Sequence, residues 1–356
     1  MFTVTKEKNT PRFSDISGNP HVSCGPEAPH VIYTKVGEII QEELNKFESF
    51  RPDKIKILKS VIMPDHIHLI AYVKKNLDFP VTTYFAKTLS ACTGRLIKQG
   101  LIPKETGCFK PGICDRIINR KGQFYILNRY IEDNPRRLLI KRLKKDLFSR
   151  LIGIKVGEYE INSYGNLFLL RLPLFAVHVR RKWSFHEVEE YKAQCMKAVA
   201  EGYVLISPFI HPAEREIKKA SLQAGGSVIK LSDRGFGERW KPPGIEFDLC
   251  AKGRILYLAE SESPLHKEEL TYRKASQLNE IAEFLSQTPE IRMVVKGSAV
   301  AAGASHSTTE PPEVRKNKAE RTQKPPEVRE CDWGLSGAGP RPVQKSGSFI
   351  DPVYDA

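Results

Sequence analysis

In the first 150 residues, the spacing of apolar side chains alternates between a strand pattern and a helix pattern. Apolar residues at every second position predict four strands, at residues 2–5, 54–63, 66–73 and 113–119. Apolar residues three and four apart predict three helices, at residues 33–47, 83–98 and 122–133. The last helix is expected to end before Asn134 and Pro135, and residues 6–29 are expected to form a loop. This order predicts an α+β, ferredoxin-like (split βαβ) domain: an antiparallel sheet with helices on one face.

The second part of the chain alternates strands and helices of similar length. Strands are predicted at residues 162–170, 174–179, 204–206, 228–231 and 254–259. Helices are predicted at residues 184–201, 212–224, 246–251 and 274–285, and Ser184 with Glu187 fits a capping box. Such alternation is typical of a parallel sheet with βαβ crossovers, a Rossmann-like α/β domain.

The composition changes near residue 298. The segment 298–356 is rich in Pro, Ser, Thr and charged residues and contains PPEVR twice, at 311–315 and 325–329. It buries too little apolar surface to offset the entropy of ordering, so we predict a disordered tail. The expected domains are therefore residues 1–150, 151–297 and 298–356.

The net charge of +14 is concentrated in the first domain. Residues 1–150 contain 27 Lys and Arg against 15 Asp and Glu, whereas the remaining residues contain 29 against 27. A basic excess in one domain indicates a nucleic-acid partner, although a solvated surface is the alternative. In RRLLIKRLKKDLFSR, at 136–150, seven of fifteen residues are basic, which suits either a helix on a phosphate backbone or an amphipathic connector. The expected DNA contacts are Arg116, Arg120, Lys121, Arg129, Arg136, Arg137, Lys141, Arg142, Lys144 and Lys145.

Two features bear on the cellular location. The chain contains no run of 18 apolar residues, so no membrane span is expected. Its N-terminus, MFTVTKEKNTPRF, lacks the apolar core of a secretory signal. We therefore expect a cytoplasmic protein.

The stretch VIMPDHIHLI, at 61–70, contains the first candidate chemistry. His66 and His68 are two residues apart on a predicted strand, so both imidazoles point to one face while Ile67 and Leu69 point to the other. Neutral imidazole is the commonest ligand for divalent metals, so the pair is a candidate metal site. The alternative is the polar outer face of a half-buried strand.

Tyr130 and Asn134 are four residues apart and share one helical face. Near His66 and His68 they would form a compact nuclease site, with the Asn134 carbonyl as a third metal ligand and Tyr130 as nucleophile. The alternatives are a core tyrosine at a helix end and an asparagine that ends a helix before proline. The residues alone leave both interpretations open.

MPDHIHLI together with CDRIINRKGQFYILNRYIEDNP resembles the REP-associated tyrosine transposases, which belong to the single-tyrosine HUH transposases. The resemblance covers roughly residues 1–145. It implies that His66 and His68 bind Mg²⁺ or Mn²⁺, with Asn134 as the third ligand. It also implies that Tyr130 forms a 5′-phosphotyrosine with single-stranded DNA and leaves a 3′-OH.

The second domain resembles, more weakly, the DNA-processing protein DprA and related Rossmann-like proteins. The matching stretches are GYVLISPF, HPAEREI, Gly225 with Gly226, and GFGERWKPPG at 235–244. The resemblance implies binding of single-stranded DNA or a nucleotide at the strand ends. However, Ser207, Pro208 and Phe209 replace the usual glycine-rich turn, and Lys241 would then be only surface charge.

The leading expectation is a metal-dependent, single-strand-specific DNA endonuclease and strand transferase that acts on hairpin-bearing DNA, as a monomer or homodimer. The alternative is a domesticated protein that binds hairpin DNA or regulates single-strand processing without cleavage. In a third interpretation the second domain loads single strands and the first is vestigial. Chelation distinguishes the first two, because cleavage requires a metal whereas electrostatic binding responds mainly to salt.

Overall fold

The computed structural model describes residues 1–49, 53–238, 240–266 and 269–288. This part of the chain is a mixed α/β protein with a four-stranded antiparallel sheet, a six-stranded mixed sheet and a two-stranded hairpin. The predicted tail, 298–356, and its PPEVR repeats lie outside the described residues. None of the helices in the described residues is long and apolar enough to cross a membrane.

The first half forms nine regular elements, in the order β1 (Phe2–Thr5), β2 (Ser14–Ser17), β3 (His30–Tyr33), α1 (Lys35–Ser49), β4 (Ile55–Ile62), β5 (His66–Val73), α2 (Val81–Lys98), β6 (Cys114–Asp115) and α3 (Gln123–Leu143). The four-stranded sheet has the order β4-β5-β1-β6, and every neighbouring pair is antiparallel. Apolar residues of α1 and α2, such as Ile40 and Phe85, pack on Phe2, Ile67 and Leu69 on one face of this sheet.

Two short strands lie in and next to the segment that was expected to be a loop. β2 pairs with β3 in antiparallel register, from Ser14 opposite Tyr33 to Ser17 opposite His30. Each strand has only four residues and they are joined by a stretch rich in Gly and Pro, so neither has a strong local signal. Conversely, the strand expected at 113–119 is reduced to the two residues of β6.

α3 does not end before Asn134 and Pro135, as the sequence predicted, but continues to Leu143. A proline inside a helix costs about 3 kcal/mol. Here Ile131, Pro135 and Ile140 are all buried, so packing on both sides of the proline offsets that cost. The basic segment 136–150 is therefore only half α-helical, and a 3₁₀ turn at Lys145–Phe148 follows.

α3 lies on the opposite face of the four-stranded sheet from α1 and α2. Its Leu127 and Ile131 pack against Val61 and Ile70 in a second apolar cluster. The expectation that all helices share one face was therefore wrong. The apolar positions of α3 cover the face that carries the even-numbered residues of β5, and this placement brings α3 to the two histidines.

The second half contains β7 (Arg150–Val156), β8 (Tyr159–Gly165), β9 (Leu174–Ala176), α4 (Phe185–Ala200), β10 (Val204–Ser207), α5 (Pro212–Gln223), β11 (Val228–Leu231), α6 (Gly244–Ala251), β12 (Ile255–Glu260) and α7 (Tyr272–Gln287). The predicted capping box is confirmed, since Ser184 and Glu187 make both of its hydrogen bonds. β7 has no predicted counterpart.

The six-stranded sheet has the order β7-β8-β12-β11-β10-β9, with β9 to β12 parallel and β8 antiparallel to β12. Residues of α4, α5 and α6 pack on one face, and residues of α7 on the other. The four parallel strands follow chain order without a reversal. The crevice where doubly wound sheets bind nucleotides forms at such a reversal, so these described strands do not create one.

The two halves meet where α3 contacts α6. The Arg137 guanidinium donates to the Gly244 carbonyl at 2.7 Å and lies over the Phe247 ring, with its central carbon 4.5 Å from the ring centroid. Arg136 forms an ion pair with Asp248 at 2.9 Å. The C-terminal part of α3 is thus fixed to the second half of the chain.

Candidate active site

The two histidines lie on β5, an interior strand of the four-stranded sheet. His66 pairs in register with Thr5 and His68 with Thr3 on β1, so these side chains share one face. Ile67 and Leu69 pack into the core beneath α1 and α2, as expected from the alternation. His66 and His68 therefore point together to the face that α3 covers, with ring centroids 4.6 Å apart and planes at 72°.

Each imidazole is held by an oxygen at its Nδ1 atom. His68 Nδ1 lies 2.8 Å from Thr3 Oγ1, and His66 Nδ1 lies 2.7 Å from Asp65 Oδ1. A neutral ring that carries its proton on Nδ1 has its lone pair on Nε2, and such oxygen partners are typical of imidazoles that ligate metals. Burial, with smaller contributions from His66 and Lys241, holds the pKa of His68 well below 6.5. His68 is thus neutral at pH 7, as a metal ligand must be.

Tyr130 lies on α3 directly beside this pair. Its ring centroid is 5.5 Å from that of His68, in an edge-to-face arrangement. Burial raises the pKa of the phenol to about 12, opposed by the charge of Arg137 and a hydrogen bond from Asn134. The phenol is therefore protonated at pH 7, and a nearby positive charge favours its ionisation.

Asn134 is 2% exposed and lies one turn after Tyr130. Its Nδ2 donates to the Tyr130 carbonyl at 2.8 Å, and its side chain also bonds to the phenol. Because Nδ2 is the donor, Oδ1 is the branch of this amide that could ligate a cation. The structure thus brings Tyr130 next to His68 and places Asn134 against Tyr130.

A metal at this position would depend on a mixed donor set. The described residues contain no group of three or more His, Cys, Asp and Glu side chains that could hold a metal. Two imidazole nitrogens and one amide oxygen are nevertheless suitable ligands for a divalent cation that keeps several positions for water or phosphate. Mg²⁺ prefers oxygen ligands, so two nitrogens favour Mn²⁺. By ligand type alone, these three side chains would suit Mn²⁺ better than Mg²⁺.

Two further cations contact Tyr130, and the sequence predicted neither of these contacts. The Arg137 guanidinium carbon lies 5.8 Å from the Tyr130 ring centroid, and Lys241 Nζ lies 5.3 Å from it. Lys241 was expected to be surface charge, yet it is only partly exposed and belongs to the loop before α6. No local pattern in the sequence around Trp240, Pro242 and Pro243 indicates this position.

The expected DNA-contacting residues fall into three groups. Arg136 and Arg137 are engaged within the fold, because both pair with Asp133 and each also contacts the second half. Arg116 and Lys141 are half-buried. The exposed members are Arg120, Lys121, Arg129, Arg142, Lys144 and Lys145.

The start of α3 combines exposed charge with exposed aromatic rings. Gly122 precedes the helix with a φ of +76°, a left-handed conformation that suits glycine. Phe124 and Tyr125 are 44% and 63% exposed, and Arg129 lies over the Tyr125 ring at 5.7 Å. Such rings beside basic groups are suited to stacking with unpaired bases.

Comparison of the chain with models of known protein families and with curated proteins finds no match.

Proposed function

We propose that this chain is a metal-dependent endonuclease and strand transferase for single-stranded DNA, with Tyr130 as nucleophile. The observation that carries the proposal is the convergence of Tyr130 with His68, 5.5 Å apart, and of His68 with His66, 4.6 Å apart. Two histidines on one strand beside a tyrosine on a helix is the arrangement that the resemblance to single-tyrosine HUH transposases implies.

The topology of the first half supports the same proposal. The strand order β4-β5-β1-β6, with α1 and α2 as the two connecting helices, is the one expected of a ferredoxin-like, split βαβ domain. In this arrangement the central strand β5 would hold His66 and His68 rigidly, and α3, which follows the last strand, would present Tyr130 to them.

In the proposed reaction, Tyr130 Oη attacks a backbone phosphorus while the bond from phosphorus to the 3′ oxygen breaks. The phenol loses its proton, the leaving oxygen gains one to become the 3′-OH of the upstream fragment, and the 5′ phosphate of the downstream fragment stays on Tyr130 as a phosphodiester. Transfer is the reverse step with a different 3′-OH. Arg137 offsets negative charge that develops on the phenol, and Asn134 orients it.

His66 and His68 would hold the cation together with Asn134. When bound, Mn²⁺ or Mg²⁺ polarises the phosphate as a Lewis acid. Thr3 and Asp65 fix the two rings, so their nitrogens keep one orientation through the reaction. Tyr130 lies 5.5 Å from His68 of its own chain, which supports a reaction in cis by a monomer or by each subunit of a homodimer.

The substrate in this proposal is a hairpin with a single-stranded flank, and the proposed location is the cytoplasm. The exposed rings at the start of α3 are five and six residues before Tyr130, about one and a half helical turns away. Bases stacked on them would hold the single strand close to the candidate site. The exposed lysines and arginines of α3 and the turn after it would contact the backbone.

The test uses hairpin oligonucleotides with a randomised flank and a label at the 3′ end, incubated with protein and Mn²⁺. A labelled protein band that survives denaturing electrophoresis reports the covalent adduct. We expect the band with wild type, no band with EDTA, and no band with Tyr130→Phe. The matched control is Tyr125→Phe, an exposed tyrosine on the same helix. An adduct that persists in Tyr130→Phe would show that the nucleophile is misassigned.

A second candidate function is hairpin binding without cleavage. The observation in its favour is the burial of Tyr130, which raises the pKa of the phenol to about 12 and so makes the nucleophilic phenolate costlier to form. In this case wild type forms no adduct with any oligonucleotide, and EDTA leaves DNA affinity unchanged while salt weakens it.

The second half is proposed to support the single-strand chemistry of the first. Its four parallel strands form no reversal crevice, so the case for nucleotide binding of the kind that the DprA resemblance implies is weak. What connects this half to the candidate site is the loop before α6.

A further inference from the structure

We propose that Lys241, supplied by the second half of the chain, binds the scissile phosphate and completes the candidate active site. This inference rests on the proposed function, because it assigns part of the same site. The resemblance that motivates the site ends near residue 145, so it assigns no role to Lys241.

Lys241 lies beside the proposed nucleophile. Its Nζ lies 5.3 Å from the centroid of the Tyr130 ring, and it also acts electrostatically on His68. Arg137 contacts the same ring at 5.8 Å. Tyr130 is therefore flanked by two cations, one from α3 and one from the loop before α6.

Rigid neighbours hold the Lys241 backbone in place. Trp240 packs against the rings of Tyr164, Phe236 and Tyr257, with centroids 4.8, 4.8 and 4.9 Å away. Pro242 and Pro243 follow, and their fixed φ angles restrict the loop. The backbone of Lys241 is thus pre-organised, so the entropy lost on binding a ligand comes from its side chain alone.

The charges around Lys241 point to an anionic ligand. Two cations, Arg137 and Lys141, influence it more strongly than the two carboxylates Asp65 and Asp133. Asp133 already pairs with both Arg136 and Arg137. Burial and these cations lower the pKa of Lys241 to about 8, which reflects the cost of an ammonium in this buried, basic environment. A phosphate group would relieve that cost.

A cation at this position can act on the reaction itself. Negative charge grows on the non-bridging phosphate oxygens as the phenol attacks, and a fixed ammonium beside the phenol stabilises that charge. Activity would also depend on the contact between the two halves, because Arg137 of α3 donates a hydrogen bond to Gly244, three residues after Lys241. The second half is then required for full activity rather than being a separate module.

The experiment compares the full-length wild type with Lys241→Met, which keeps the aliphatic stem, and Lys241→Arg, which keeps the charge. Lys197→Met, an exposed lysine on α4, is the matched control. Two quantities are measured for each protein: the rate of adduct formation with the 3′-labelled hairpin pool and Mn²⁺, and the salt dependence of hairpin affinity in EDTA. Thermal melting verifies that each variant is folded.

For Lys241→Met we expect adduct formation about 100-fold slower than in wild type. We also expect the slope of log affinity against log salt to be smaller by about 0.7, which is the value for one lost contact to single-stranded phosphate. Lys241→Arg should recover most of both, and Lys197→Met should match wild type. If Tyr130→Phe abolishes the adduct but Lys241→Met stays within twofold of wild type with an unchanged slope, the inference is wrong while the proposed function stands. If wild type forms no adduct, the proposed function fails. In that case the salt dependence of hairpin affinity still tests the phosphate contact: an unchanged slope in Lys241→Met rejects the contact, and a smaller slope supports it.

Discussion

Arg137 joins α3 to α6, and replacing it with methionine tests how strongly this joint is held. The guanidinium is 7% exposed and, besides the Tyr130 ring at 5.8 Å, it has three closer partners: Asp133 Oδ2 at 2.8 Å, the Gly244 carbonyl at 2.7 Å and the Phe247 ring at 4.5 Å. Methionine preserves most of the volume but none of the charge. Asp133 keeps its pairing with Arg136, so that carboxylate is not left alone.

The expected loss follows from these contacts. A charged hydrogen bond to a carbonyl contributes about 1.5 kcal/mol and the guanidinium over Phe247 about 1 kcal/mol. The pair with Asp133 lies within α3 and does not cross the junction. Opening of the junction should therefore become easier by about 2.5 kcal/mol, which corresponds to roughly 70-fold faster exchange of the α6 amides.

The assay is hydrogen–deuterium exchange followed by mass spectrometry of peptides that cover Gly244–Ala251. Arg142→Met is the matched control, because Arg142 is exposed on the last turn of the same helix, and its exchange should stay within about threefold of wild type. If α6 in Arg137→Met also exchanges within threefold of wild type, Arg137 does not hold the junction and the reasoning is refuted.

Three further predictions concern the metal site, the DNA surface and pH. Thr3→Val removes the hydrogen bond to His68 and should weaken Mn²⁺ binding about 10- to 100-fold in a titration, with Thr3→Ser as the control; equal affinity in the valine variant would contradict the role of Thr3. Tyr125→Ala should weaken hairpin binding at least about 10-fold without changing the adduct rate at saturating DNA, and a slower saturated rate would argue against a stacking role. Burial would raise the pKa of Glu246, but Lys230 and a second lysine lower it below 4.5, so its charge stabilises the fold above that pH and the contribution is lost as the pH falls through the lowered pKa. In Glu246→Gln the melting temperature should therefore decrease less steeply below pH 4.5 than in wild type. An equally steep decrease in both proteins would exclude Glu246 as the cause.

Local patterns predicted much of the fold because most elements have clear local signals. β1, β5 and β11 have the predicted bounds, and the capping box of α4 is present. The facing of His66 and His68 followed from strand alternation alone. Their proximity to Tyr130 depended on the motif and required α3 to cover that face of the sheet.

The remaining features depend on contacts between distant residues. The hairpin of β2 and β3 and the passage of α3 through Pro135 are stabilised by tertiary packing, which overrides local propensity. Lys241 reaches Tyr130 only because α3 and α6 meet, through a bond between Arg137 and Gly244 that are 107 residues apart in the chain. No local periodicity encodes such a meeting, so the sequence placed Lys241 on the surface.

The central claim is that Tyr130, held beside His66 and His68, becomes covalently attached to DNA. The most direct measurement is mass spectrometry of the adduct after nuclease and trypsin digestion. Cleavage after Arg129 and Arg136 releases residues 130–136, a peptide whose only tyrosine is Tyr130. We predict a nucleotide mass on this peptide through a tyrosine phosphodiester, present with Mn²⁺ and absent with EDTA. A nucleotide on any other peptide would contradict the claim.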